Sequence, residues 1–172
     1  GGSVTFSQSG DAPALENTGT FDIGAGRTLH ATAGSLTNVQ GGIIRGTGTL
    51  RLDGSAISNA GTLSPGGAGI GKLRIQGALE NTATAILESD IAGAAAVTEY
   101  DVLEVTGAVT LNGDLAIRRA AGYTPAINTN FDVVTALSRA GNFSNVLGTA
   151  IDGSFSFQVN YLAAGVRLTV ID

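Results

Sequence analysis

Apolar and polar residues alternate along this chain in short runs, and no repeat carries the i, i+3, i+4, i+7 apolar stripe of an amphipathic helix. Four strings recur: Leu15-Glu16-Asn17-Thr18, Leu36-Thr37-Asn38-Val39, Ile57-Ser58-Asn59-Ala60 and Leu79-Glu80-Asn81-Thr82. Their asparagines stand at 17, 38, 59 and 81, in steps of 21, 21 and 22. Between them lie alternating triplets, Leu29-His30-Ala31, Leu50-Arg51-Leu52 and Leu73-Arg74-Ile75, with the period of a strand buried on one face. A third element follows each asparagine: Thr20-Phe21-Asp22-Ile23, Gly42-Ile43-Ile44, Gly61-Thr62-Leu63 and Thr84-Ala85-Ile86-Leu87.

A repeat of about 21 residues with up to three short strands and no helix fits one coil of a parallel β-solenoid. Coils stacked about 4.8 Å apart would align equivalent residues in ladders. Leu15, Leu36, Ile57 and Leu79 are then expected inside. Asn17, Asn38, Asn59 and Asn81 are expected as a ladder at corners, where an asparagine side chain tolerates left-handed dihedrals and bonds the backbone of the neighbouring coil. An antiparallel sandwich also has short strands and glycine turns at regular spacing, and is the competing architecture.

Residues 1–90 are expected to form the regular coils, and 91–172 a less regular continuation or β-rich cap. From Tyr100 the pattern predicts strands at Val102–Thr106, Ala108–Leu111, Asp114–Ile117, Phe131–Thr135, Phe155–Asn160 and Val166–Ile171. Asn112-Gly113, Gly141-Asn142 and Asp152-Gly153 mark turns, and such pairs between apolar runs favour hairpins. Antiparallel pairing is therefore one expectation for this half, and further coils with longer loops the other.

Composition narrows the chemistry. The 172 residues include 26 Gly, one His, and no Cys, Met or Trp, and 13% are charged, for a net charge of −5. Zero Cys excludes disulfides, a thiol nucleophile and a Cys-based zinc site. The acidic balance disfavours nucleic-acid phosphates. Ile91–Val97 is far too short to span a bilayer, which takes about 20 apolar residues, so no membrane insertion is expected. Gly-Gly-Ser-Val-Thr-Phe lacks the basic and apolar regions of a signal peptide, so a secreted protein would be represented here by a mature fragment.

Thr62-Leu63-Ser64-Pro65-Gly66-Gly67, followed by Ile70-Gly71-Lys72-Leu73-Arg74-Ile75-Gln76-Gly77, resembles the signature of autotransporter-associated β-strand repeats. Tyr100-Asp101-Val102-Leu103-Glu104-Val105-Thr106-Gly107 resembles the strand that follows it, and Val109–Leu115 continues the pattern. Gly122-Tyr123-Thr124-Pro125, Phe131–Ala136 and Gly141-Asn142-Phe143-Ser144 are similar to closing strands of such passengers. The resemblance covers about 57–172 by motif and 1–56 by repeat style. It implies a right-handed β-helix, secreted and exposed on a Gram-negative-type bacterial surface, in a group of adhesins, stalks and filament-forming proteins. The family's outer-membrane barrel does not follow Asp172, so export is expected to rely on a barrel since removed or on another secretion system.

Candidate chemistry is sparse. Gly66–Lys72 has the outline of a phosphate loop, but Leu73 replaces the magnesium-binding hydroxyl and no helix pattern follows. Glu88, Asp90, Glu99, Asp101 and Glu104 form the densest acidic stretch. They invite paired-carboxylate glycan cleavage or calcium binding by loop oxygens, against the plainer expectation of a solvated acidic edge. His30, with Asp22 and Asp11 as its local acids, lacks a nucleophile elbow and is expected on a coil face, as are Arg45, Arg51 and Arg74. Thr18-Gly19-Thr20, Thr47-Gly48-Thr49 and Thr82-Ala83-Thr84 occupy different places in the repeat, so no flat threonine array for ice binding forms. The expectation is a non-catalytic surface rod without cofactor or metal. Its partners would be host glycan or protein, or further copies stacked end to end.

Overall fold

The computed structural model describes residues 3–6, 14–32 and 34–172. Among them there is no helix, and almost every strand pairing is parallel. The chain visits three stacks of strands in rotation. The first holds β2 (Ala14–Asn17), β5 (Ser35–Asn38), the later halves of β7 (Thr49–Asn59) and β9 (Lys72–Asn81), β12 (Ala108–Leu111) and β15 (Ser138–Gly141). The second holds β3 (Thr20–Ile23), β6 (Ile43–Gly46), β8 (Thr62–Pro65), β10 (Ile86–Ile91), β13 (Asp114–Arg119) and β16 (Asn145–Leu147). The third runs through β1 (Ser3–Phe6), β4 (Thr28–Ala31), the earlier halves of β7 and β9, β11 (Val102–Val105) and β14 (Asn130–Thr135). Parallel strands stacked in this rotation are consistent with a β-helix-like solenoid.

Side-chain alternation turns each stack into columns. Leu36, Ile57 and Leu79 are level with one another and fully buried, while Leu15 lies partly buried at the end of that column. Ile44, Leu63, Leu87 and Leu115 form a second buried column, extending from the half-buried Phe21. Burying each such side chain contributes about 1.5–3 kcal/mol. Between β7 and β9 the register shifts: Leu50 lies opposite Ile75, two residues beyond the triplet alignment with Leu73. A two-residue slip keeps every side chain on its own face. The extra residues bulge out after Arg51, where Asp53 is exposed.

The parallel pattern ends in an antiparallel hairpin. β17 (Ser156–Leu162) and β18 (Gly165–Ile171) pair along their full length, and β18 closes on β14. Phe131 sits edge-on between Tyr100, at 5.2 Å, and Phe157, at 5.7 Å, so aromatic packing joins the hairpin to the coil below. Arg167 grips Asp132 through two bonds of 2.7 and 3.0 Å across the same junction.

The turn signals misplace the hairpin. Asn112-Gly113 and Gly141-Asn142 are corners between strands that pair in different stacks, while the long hairpin turns at Ala163-Ala164. Asp152-Gly153 does make a tight turn, in which Asp152 Oδ1 accepts from the amides of Ser154 and Phe155 and Ala150 bridges Ser156 antiparallel. Gly113 answers a different demand. Its φ is +72°, and a Cβ there would stand 2.1 Å from the Ala85 carbonyl oxygen of the coil below. Gly113→Ala is therefore expected to destabilise the fold by more than the ~1 kcal/mol of an ordinary glycine replacement at positive φ. Gly153→Ala, with nothing within 4 Å, should leave urea midpoints nearly unchanged. Equal midpoints for the two variants would contradict the close approach of coils.

Candidate binding corner and the asparagine ladder

The four asparagines meet. Asn17 Nδ2 donates to Asn38 Oδ1 at 2.8 Å, Asn38 Nδ2 to Asn59 Oδ1 at 2.7 Å, and Asn59 Nδ2 to Asn81 Oδ1 at 3.0 Å. Asn17 also donates to the Ile43 carbonyl at 3.0 Å. Two features differ from the expected corners. All four side chains are buried, and none has a left-handed backbone, which among the described non-glycine residues is found only at Val97 and Asn128. Each asparagine is the last residue of a strand and follows its inward Leu or Ile by two, so alternation points it inward too. An amide can both donate and accept along a column, which satisfies its polarity inside the core. The ladder runs out at Asn81, whose Nδ2 is buried without a partner. The next coil has Leu111 at that level.

The corners carry unequal loops. Turns from the first stack to the second, such as 60–61 and 112–113, are short, as are those from the third to the first at 106–107 and 136–137. From the second stack to the third the connections lengthen to 66–71, 92–101 and 120–129 in successive coils. Insertions in a repeat scaffold map to loops on one face, which is often the face that binds. Here they enclose a groove of about 330 Å³, lined by loop residues 68–70, by 90–92 at the end of β10 and by 118–120 at the end of β13.

Charges at this corner are paired. Arg118 donates from Nε to Asp90 Oδ1 at 2.8 Å and lies 2.6 Å from Glu88 Oε2. The terminal nitrogens of Arg119 donate to the carbonyls of Tyr123 and Ile151, and its Nε is buried without a partner. Behind the groove Asp101, only 2% exposed, accepts the Gly71 amide at 2.8 Å and the Asp90 amide at 2.9 Å. One carboxylate thus ties the glycine-rich loop to β10. Burial pushes its pKa up to about 7, against those two amides, with the Asp90 charge adding to the rise and Arg118 opposing it.

The rest of the acidic stretch disperses. Glu104 pairs with Lys72 at 2.6 Å and Arg74 at 3.5 Å, and Glu99 accepts the Ala95 amide at 2.9 Å. The solvated-edge expectation fits Glu99, which is exposed, and Glu88, Asp90 and Glu104, which are half-buried in surface ion pairs; Asp101 departs from it and is interior. Among the described residues no three His, Asp or Glu side chains converge as a metal site. Lys72 begins a strand rather than a helix, so Gly66–Lys72 lacks the geometry of a phosphate loop. His30 Nε2 lies 2.7 Å from Asp53 Oδ2, while Asp22 is bound by Arg45 at 2.9 Å and Asp11 lies outside the described residues. Asp53 missed notice in the sequence because it lies 23 residues from His30, one coil on. Asp101 could have been singled out by the apolar residues around it, Tyr100 and Val102-Leu103.

No protein-family model matches the chain. It is 34% identical over 123 residues to the adhesin BmaC autotransporter of Brucella suis biovar 1 (strain 1330), an alignment covering 65% of this chain and 4% of that protein. The chain thus spans a small fraction of the relative's length, and shows distant homology to an autotransporter adhesin.

Asp101 sets a pH expectation. Its folded pKa exceeds that of an unfolded aspartate, so the folded protein holds the extra proton between the two values. Its contribution to stability is full in acid and lost as pH rises through about 7. Relative to Asp101→Asn, the wild type should therefore gain thermal stability on going from pH 8 to pH 6, by about 2–4 °C per kcal/mol of linkage. Parallel melting curves across this window would contradict a buried, ionising Asp101.

Proposed function

We propose that this chain is a right-handed β-solenoid segment of a secreted bacterial surface protein, a stiff, non-catalytic rod whose loop-bearing corner makes adhesive contact. The homology to an autotransporter adhesin carries the adhesive part. The columns of like residues through successive coils support the rod, because each coil satisfies the backbone groups of its neighbours and shares one core. Paired carboxylates suit this role better than glycan cleavage, since Glu88 and Asp90 are both engaged by Arg118 and Glu104 by Lys72 and Arg74. The closing antiparallel hairpin favours a free-standing rod over end-to-end filaments, because it covers β14 and receives the Arg139 amide at 2.8 Å on the Ala163 carbonyl.

Beads coated with the chain should attach to epithelial cells well above beads coated with an inert protein of equal charge, and free chain should compete. Attachment no better than the inert coat would overturn the adhesive reading. Electron microscopy of long filaments at low micromolar concentration would overturn the preference for a free-standing rod.

A further inference from the structure

The groove at the loop-bearing corner has a chemistry of its own. We propose that it binds a neutral, hydroxyl-rich ligand about the size of one sugar ring, as a terminal glycan unit would present. This rests on the adhesive reading and names the contact that would serve it.

The charge pattern selects against ionic ligands. Arg118 is engaged by Asp90 and Glu88, and Arg119 turns its terminal nitrogens to backbone carbonyls. Glu88, Asp90, Arg118 and Arg119 together carry no net charge, so the groove draws in neither an anion nor a cation, and desolvating a charge without a new partner is costly. Acceptor capacity remains, because a carboxylate offers about four lone-pair sites and Asp90 uses few of them. Around it the lining is aliphatic, from Ala68, Ile70, Ile91, Ala92 and Ala120. Hydroxyl donors at the rim with C–H surface on the faces are the chemistry of a pyranose.

Size and topology point the same way. A volume of about 330 Å³ lies at the small end of the ~300–1,000 Å³ range of ligand pockets, room for a ring rather than a long chain. An extended peptide would need a free strand edge. At this corner β10 pairs with β8 only as far as Leu87, and beyond it Asp101 occupies that edge, its carboxylate on the Asp90 amide and its own amide on the Asp90 carbonyl. The groove is a preformed cleft: Asp101 holds the loop wall and the β10 wall through Gly71 and Asp90. No aromatic ring lines it, so binding should be weak, with Kd on the order of 1 mM.

Saturation-transfer NMR on the full chain tests the assignment, with methyl glucoside, methyl galactoside, methyl mannoside and N-acetylglucosamine as neutral probes. Glucuronate and glucosamine serve as charged ones. At least one neutral sugar should bind saturably, and each charged sugar should bind at least about tenfold more weakly than it. Ala120→Phe fills the groove without touching a charge and should weaken binding about tenfold or more. Ala92→Phe, at the end of the neighbouring strand, should do the same and stands in if the first variant does not fold by its melting curve. No saturable binding of any neutral sugar at tens of millimolar, preference for a charged sugar, or full binding in both filled variants would each overturn the proposal. Beads that attach to cells while the groove binds no sugar would sink this assignment and leave the adhesive reading standing. Sugar binding without cell attachment would do the reverse.

Discussion

The register between successive parallel strands is the constraint on which everything else here depends. Side chains alternate with a period of two, so a slip of one residue would turn each buried column outward. The chain obeys this even where its spacing changes. Between β7 and β9 the earlier halves step by 25 residues, Leu50 to Ile75, and the later halves by 22, Ile57 to Leu79. The excess is taken up as a bulge, and both columns stay inside. The asparagine ladder depends on the same register, since amide-to-amide bonds of 2.7–3.0 Å require equivalent residues one coil apart to be level.

The repeat spacing was legible because it is a physical period: the length of chain needed to return to the same stack. Strand positions followed from alternation wherever apolar residues were dense, as in Leu103-Glu104-Val105. They were missed at β15 and β16, where Ser138-Arg139-Ala140-Gly141 and Asn145-Val146-Leu147 pair through the backbone with few buried side chains. The inward direction of the asparagines lay in the alternation, two residues after a buried Leu or Ile, but their polarity argued for the surface. Glycine at positive φ serves hairpins and the corners between parallel stacks alike, so Asn112-Gly113 could not by itself tell them apart.

The candidate site was less legible than the scaffold. Loops 66–71, 92–101 and 120–129 lie far apart in sequence and meet only because coils bring the same corner of each repeat into line. Asp101 shows the consequence. Read along the chain it belongs to an acidic stretch; in the fold it is an interior clamp between two walls of a groove, at a cost in desolvation that raises its pKa. The shared core fixes the spacing of these loops from one coil to the next.

The central claim is the stacking of equivalent residues one coil apart, and the absence of native cysteine makes it directly measurable. Thr37 and Ser58 are register partners on adjacent coils, whereas Thr37 and Glu80 are separated by two. Neighbouring strands lie about 4.8 Å apart, within the roughly 4.4–6.8 Å that a disulfide spans between Cα atoms. Under mild oxidation Thr37→Cys/Ser58→Cys should close an intrachain disulfide nearly completely, and Thr37→Cys/Glu80→Cys should remain reduced. Failure of the first pair to close, or equal closure of both, would contradict the in-register stack.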